Sequence, residues 1–334
     1  MIEQATQHIA SLARRSEAIR KQFYSDESEE GDPGGTNDPG GLCLPSDPLL
    51  EEEHTVVRGL VRKYPNRALV LLTLRCAAYC RFCTRQRKVG DLSQFDTTSQ
   101  EIDAIAEYLS HHPKVRELIL SGGDPLIVPE TLEYAVRKLT CIPSVKVLRI
   151  GTRLPVSDPR KVTEKKLEYL REVMQPVYVG IHFEHPDEIT GETVRACKIL
   201  RSLGCILFSQ SVFLRGINDD YKTLYTLFTR LIEIGVKPYY IYRCDMVKGA
   251  ERFIADFQKE IEMMTQLKIS LSGMACPTYV VDTPNGTGKI PVPLKFWDAS
   301  VESFRDFNGK TFQMDQWEGQ HASPALCGLH ISER

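Results

Sequence analysis

The sequence predicts an α/β fold built on a parallel sheet, and three observations predict it. Strand-like and helix-like segments alternate six times from residue 68 onward, at a spacing of roughly 30 residues, the length of a strand with its crossover helix. The first strand, 68–75 (ALVLLTLR), is almost continuously apolar, the pattern of a strand covered on both faces. The chain of 334 residues is 42% hydrophobic and 26% charged, an ordinary globular composition with enough length to bury a substantial core.

Residues 2–24 carry apolar side chains at Ile9, Leu12, Ala13 and Ile19, which reads as a helix. Residues 25–41 (SDESEEGDPGGTNDPGG) are acidic, rich in Gly and Pro and without an apolar side chain, which reads as a flexible linker or exposed loop. The strands follow at 68–75, 115–120, 145–150, 177–183, 206–214 and 238–244. Helices are expected at 101–112, 130–140, 165–174, 193–203, 224–234 and 250–267. These elements divide the chain into an N-terminal helical extension (1–67), a β/α core (68–270) and a C-terminal segment (271–334). A doubly wound open sheet and a barrel both fit six units. The first strand is not followed by G-x-G-x-x-G, which argues against a dinucleotide-binding Rossmann domain. In a barrel, chemistry gathers at the C-terminal ends of the strands. The unusual residues sit there: cysteines after the first strand, SGGD after the second, GTR after the third, HFEH at the end of the fourth and RCD at the end of the sixth.

Lys and Arg number 42 against 44 Asp and Glu, so no nucleic-acid footprint is expected. No apolar run reaches the roughly 18 residues of a membrane span, so no membrane partner is expected. The N-terminus lacks the apolar region of a secretory signal, which makes the cytoplasm and reduced thiols the expectation. Cysteine clusters then point to metal or catalysis.

Cys76, Cys80 and Cys83 follow one another as C-x3-C-x2-C in LRCAAYCRFCTRQR (74–87). A closed zinc site needs four ligands, so a distant His or Cys would have to complete one. A [4Fe–4S] cluster held by three thiolates keeps one iron open. Three incidental cysteines are the third reading. Near the C-terminus, Lys289 ends PNGTGK, a stretch too rich in Gly and Pro to read as helix or strand. The full P-loop pattern is not matched. Lys289 is either a surface charge or a lysine that forms a Schiff base with pyridoxal 5′-phosphate (PLP), and spacing alone does not choose between them.

The cysteine spacing, with Phe82 before the third cysteine, resembles the signature of the radical S-adenosylmethionine (SAM) superfamily. Ser121-Gly122-Gly123-Asp124 resembles that superfamily's GGE-type motif. DTPNGTGK (282–289) resembles the PLP-lysine loop of lysine 2,3-aminomutases, D-x-P-x-G-x-G-K. The resemblance runs from about 47 to 297. It takes in KYPNR (63–67), LSGGDPL (120–126), RIGTRLPV (149–156), HFEHPDEIT (182–190), QSVFLRGIND (210–219) and YYIYRCD (239–245).

The resemblance implies a partial (β/α)6 barrel with an N-terminal helical extension and a C-terminal PLP-lysine segment. It implies a [4Fe–4S] cluster on Cys76, Cys80 and Cys83, with SAM on the open iron and PLP on Lys289. SAM would be met by Phe82, Ser121, Gly122, Gly123, Asp124, His182 and Gln210, and the PLP phosphate by Lys63 and Arg67. Arg85 matches the family's arginine for the substrate carboxylate, and Asp245 and Asp282 match its two aspartates for the ε-amino group. Two carboxylates at one end of a pocket repel unless a cation lies between them, which selects a cationic side chain. The implied activity is that of an isomerase: movement of the α-amino group of free L-lysine to the β-carbon, served by an electron donor such as flavodoxin or ferredoxin, in a possible homo-oligomer. Arginine, ornithine or glutamate are alternative substrates. A relative that modifies a lysine of a translation factor is another alternative, as is a non-catalytic iron–sulfur or zinc protein.

Three positions depart from the family. Asp220 stands where the longer enzymes have a zinc-binding cysteine, and only Cys327 and His330 are available near the C-terminus, so no structural zinc is expected. Arg243 stands where the lysine enzymes have Gln, an extra cation next to the RCD carboxylate. Phe82 replaces a common His.

Overall fold

The computed structural model describes residues 4–25, 44–90, 96–283, 288–296, 303–305 and 311–313. All but the first residue of the expected linker lies outside these, as do Pro284 to Thr287, Cys327 and His330.

Helices α1 (Gln7–Ala13) and α2 (Glu17–Phe23) replace the single helix expected over 2–24. Ser16 breaks the run: its backbone is extended and its hydroxyl accepts the Ile19 N–H, restarting the helix as an N-cap. Two short strands follow, β1 (Thr55–Val57) and β2 (Leu60–Val61), and then the core begins with β3 (Arg67–Thr73). Next come α3 (Ser99–Ser110), β4 (Glu117–Gly122), α4 (Pro129–Thr140), β5 (Val147–Thr152), α5 (Leu154–Ser157) and α6 (Glu164–Leu167). They are followed by β6 (Val177–His182), α7 (Gly191–Ser202), β7 (Ile206–Val212), α8 (Tyr221–Glu233), β8 (Lys237–Tyr242) and α9 (Phe257–Ser270). The chain then forms β9 (Thr278–Asp282), β10 (Lys289–Pro291) and a small hairpin, β11 (Ser303–Arg305) with β12 (Thr311–Gln313).

One ten-stranded sheet runs β1 to β10 in chain order. Strands β3 to β9 are parallel, and the antiparallel β1, β2 and β10 extend the two edges. The sheet is open: β1 and β10 do not pair. The six expected β/α units are present, and β9 adds a seventh parallel strand after α9. The sheet therefore continues across residues 67 and 271, where the sequence suggested boundaries.

The first strand corrects its sequence reading. β3 is not covered on both faces. Ala68, Val70 and Leu72 are buried, whereas Arg67, Leu69 and Leu71 are half-buried. β4 and β5 alternate in the same way. Ala68, Val70, Leu118, Leu120, Leu148 and Ile150 pack under α3 and α4 in one large core. The opposite face carries Arg67, Glu117, Ser121 and Arg149, with Arg149 paired to Glu117 at 2.9 Å. The apolar run combined an outer face of Ala68, Val70 and Leu72 with an inner face of Arg67, Leu69 and Leu71, and most of the polar inner residues lie on β4 and β5. No helix among the described residues is long and apolar enough to cross a membrane.

Candidate active site

The loop leaving β3 carries all three clustered cysteines, each a free thiol. Burial, then Asp124, Cys83 and Cys80, push Cys76 well up, while Arg85 pulls the other way. Burial and Cys80 push Cys83 up to about 11. Burial raises all three thiols, Cys80 against the pull of Arg153, so a bound cationic centre is what would draw them together into the thiolate form. Among the described residues no three His, Cys, Asp or Glu side chains converge on a single metal ion. A cluster in which separate irons each take one thiolate does not require that convergence. The donor set fits such a cluster, and a buried Arg153 Nε–H beside it has no protein partner.

The N-terminal helices clasp this loop, which the sequence reading missed. The Gln4 side chain donates to the Cys76 carbonyl at 2.8 Å, and Tyr79 N–H returns a bond to the Gln4 carbonyl at 2.9 Å. Arg81 N–H donates to the Gln22 carbonyl at 2.9 Å, and Ala78 packs among Ile9, Leu12, Ile19 and Phe23. The signal was present as the apolar stripe of residues 9–19, but nothing in a stripe names what it covers.

At the end of β4 the glycines are explained by the neighbouring strand. A methyl group at Gly123 would stand 2.0 Å from the Arg75 carbonyl oxygen, and one at Gly122 2.1 Å from that of Thr73. The SGGD turn thus lies directly on the root of the cysteine loop. Gly123 N–H bonds Thr73 O, and Asp124 N–H bonds Arg75 O at 2.8 Å. Gly123→Ala is expected to cost about 1–3 kcal/mol, the range of an overpacked core, and to lower the thermal midpoint measurably. Asp124 is buried, and its carboxylate accepts from Leu126 N–H at 3.1 Å, Thr152 Oγ1 at 2.7 Å and Arg153 N–H at 2.7 Å. It fixes the turn and offers no free oxygen outward. Phe82 likewise packs inward against Leu214, Ile217 and Phe253.

Further strand ends bring His182, Gln210 and Tyr242 together. His182 and Gln210 are register partners, and Gln210 Nε2 donates to the Tyr242 hydroxyl at 2.7 Å. The Tyr242 ring lies 4.7 Å from Lys289 Nζ. Lys289 corrects its loop assignment: it is the first residue of β10 and pairs in register with Asp282. Its ammonium holds both Asp282 oxygens, at 2.7 and 2.8 Å. Burial and the Asp282 carboxylate push Asp245 up to about 7, against the pull of Lys289 and Lys63. The structure therefore gathers Asp245, Asp282, Lys289 and Lys63 into one charged group. Arg67 stands apart from it. It opens β3, its guanidinium lies 3.5 Å from the Tyr64 ring centre, and its charge reaches Tyr240, two residues before Tyr242 on the same face of β8.

Arg243 does not crowd the aspartates. It donates to Glu260 on α9 at 2.6 Å and lies over Phe257. Arg85 has a partner that the sequence reading did not weigh. Glu51, from the segment before β1, grips its Nε and Nη2 at 2.9 and 2.7 Å. Burial raises Glu51, but Arg85, with Lys63 and Arg87 behind it, holds the carboxylate at about 2. The third donor, Nη1, bonds the Gly122 carbonyl at 3.1 Å.

A seven-strand parallel core with three cysteines at the exit of its first strand and a glycine turn at the exit of its second defines a class. That class is the radical SAM superfamily, whose family model matches residues 70–228. Within it, the chain is 44% identical over 247 residues to the L-lysine 2,3-aminomutase of Clostridium subterminale, covering 74% of this chain and 59% of that one. It is 36% identical over 282 residues to a provisionally named L-lysine 2,3-aminomutase of Aquifex aeolicus, covering 81% and 74%. It is 35% identical over 273 residues to the glutamate 2,3-aminomutase of Clostridioides difficile, covering 80% and 64%. The chain belongs to the lysine 2,3-aminomutase family. It spans 59% of the length of the Clostridium subterminale relative.

Proposed function

We propose that the chain is a radical SAM, PLP-dependent isomerase that moves the α-amino group of free L-lysine to the β-carbon. The observation that carries this reading is Lys289 held by both Asp282 oxygens at the strand ends, with the buried Asp245 carboxyl within electrostatic reach of both. When bound, the cluster with SAM supplies a hydrogen-abstracting radical, and PLP supplies a conjugated carrier for the migrating amino group.

Cys76, Cys80 and Cys83 hold the cluster. The SGGD turn, with His182 and Gln210, borders SAM; Asp124 serves it only through the turn it fixes, and Phe82 through the core behind the loop. Lys289 binds PLP, with the Tyr242 ring as its apolar seat. Lys63 and Arg67 would supply the cations for its phosphate. In the free chain, Lys289 is the cation bound to Asp282, and its charge also reaches Asp245. Once its nitrogen is engaged by PLP, both carboxylates need another cation, and the ε-ammonium of lysine is one. A glutamate side chain would bring a third carboxylate to the same place.

Arg85 keeps the geometry to hold the substrate carboxylate although Glu51 is bound to it. A guanidinium has five N–H donors. Glu51 takes Nε–H and one Nη2–H, and Gly122 takes one Nη1–H. The remaining Nη2–H and the second Nη1–H, which has only a long 3.5 Å contact to Ser121 Oγ, form the end-on pair, which suits a second carboxylate. Glu51→Gln is expected to raise the KM for the amino acid roughly tenfold, the size of a charged hydrogen bond, with cluster content unchanged. An unchanged KM would remove Glu51 from the site. The electron donor would be a one-electron carrier such as flavodoxin or ferredoxin.

The deciding experiment is anaerobic reconstitution with iron, sulfide, SAM, PLP and dithionite, followed by an amino-acid panel analysed for β-amino products. β-Lysine is the expected product. No product from any amino acid overturns the proposal, and β-glutamate in place of β-lysine overturns the role of the aspartates.

A further inference from the structure

The GTR sequence at the end of β5 contributes a residue that the functional reading leaves unused. The Arg153 side chain is buried. Its Nη1 donates to Cys80 Sγ at 2.7 Å, and its Nη2 donates to Glu188 Oε1 at 2.9 Å and to the Gln22 side-chain oxygen. The guanidinium carbon lies 4.9 Å from the centre of the Phe23 ring and 5.4 Å from that of Phe82. Its backbone N–H is held by Asp124. A cation so placed cannot swing away: two aromatic rings, two side-chain acceptors and an anchored backbone fix it against one cysteine.

We propose that Arg153 is a positioning residue that makes the iron–sulfur cluster easier to reduce, by donating to the Cys80 sulfur from a fixed, buried guanidinium. This inference rests on the reading of Cys76, Cys80 and Cys83 as cluster ligands. Reduction adds one electron, taken from a one-electron donor, to a centre already surrounded by three thiolates. Hydrogen bonds to ligand sulfur and nearby positive charge stabilise the more negative, reduced form, and low local dielectric strengthens both effects. Glu188 sits on the far amino group of Arg153, with its second oxygen bonded to Glu184 N–H at 2.7 Å. The pair is close to neutral overall, and it presents its positive end to the sulfur. The unpartnered Nε–H is a further donor available to a cluster sulfide.

Loss of Arg153 alone would leave Glu188 buried without its counter-charge, which destabilises the fold. The test therefore uses Arg153→Met with Glu188→Gln, which removes the charges as a pair, and Arg153→Lys, which keeps the charge without the fork. Each reconstituted protein is assayed for iron and sulfide, and its midpoint is measured by redox titration followed by electron paramagnetic resonance. The double variant is expected to show about a tenfold lower ratio of reduced to oxidised cluster at a fixed potential, a midpoint about 59 mV more negative. Arg153→Lys should shift in the same direction by less. Ratios of reduced to oxidised cluster within twofold of wild type in both variants, at the same fixed potential, would overturn the inference while leaving the cluster reading intact. A wild-type chain that takes up no iron and sulfide would instead overturn the cluster reading itself.

Discussion

Replacing Lys289 with alanine is expected to abolish the visible absorbance of lysine-bound PLP and to reduce β-lysine formation on the order of 1,000-fold or more, the scale seen when a covalent group is removed. The reason is local. Lys289 is the amine that β10 places against the Tyr242 ring and opposite Asp282. The nearest competitor is Lys63, whose charge couples to both Asp282 and Lys289. Lys63 is turned toward the Leu49 carbonyl, and burial works against its charge. Lys289→Ala that keeps the absorbance would assign the Schiff base to Lys63. SAM cleavage without substrate should continue in Lys289→Ala, because no ligand to the cluster is touched.

The second large effect is a pH dependence. Burial and Asp282 bring the Asp245 carboxyl up to about 7. The ε-ammonium of lysine, with an ordinary pKa of about 10.4, stays charged throughout this range. Below about pH 7 Asp245 is neutral and gives up its attraction for that cation. The kcat/KM for lysine should therefore rise about tenfold per pH unit as the pH climbs toward 7, then level off. Asp245→Asn should erase that limb and lower kcat/KM on the order of 100-fold at pH 8, with SAM cleavage unchanged. A limb that persists in Asp245→Asn would assign the titration elsewhere. The stability effect has the opposite sign. An acid whose folded pKa lies above its unfolded value binds its proton more tightly in the fold, so ionising it costs stability as the pH rises from about 4 to about 7. Asp245→Asn should consequently raise the thermal midpoint at pH 8 while it disables the enzyme.

The six β/α units were legible because their helices and strands carry regular apolar periods. The missed pieces lack that regularity. β1 and β2 hold three and two residues and turn on Gly59 at φ +81°. β10 is three residues of mixed character, with its register supplied by β9. The cysteines stood out by spacing, whereas Lys289, Asp245 and Asp282 were singled out by likeness to the family. Glu51 and the clasp of α1 and α2 were not. Gln4 meets Cys76 across 72 positions, and Glu51 meets Arg85 across 34, and no period in either segment records such a meeting. The alternation along β3 was readable only in part, because leucines occupy both its faces.

The unpaired edges β1 and β10 decide what the sheet can contain. A closed eight-stranded barrel is just wide enough for its own side chains to fill. Here the two edge strands do not pair, and the inward residues of β3, β4 and β5 remain partly accessible. The proposed reaction would bring a nucleoside, a vitamin-derived aldehyde and an amino acid side by side, and the unpaired seam leaves the inner face open to them.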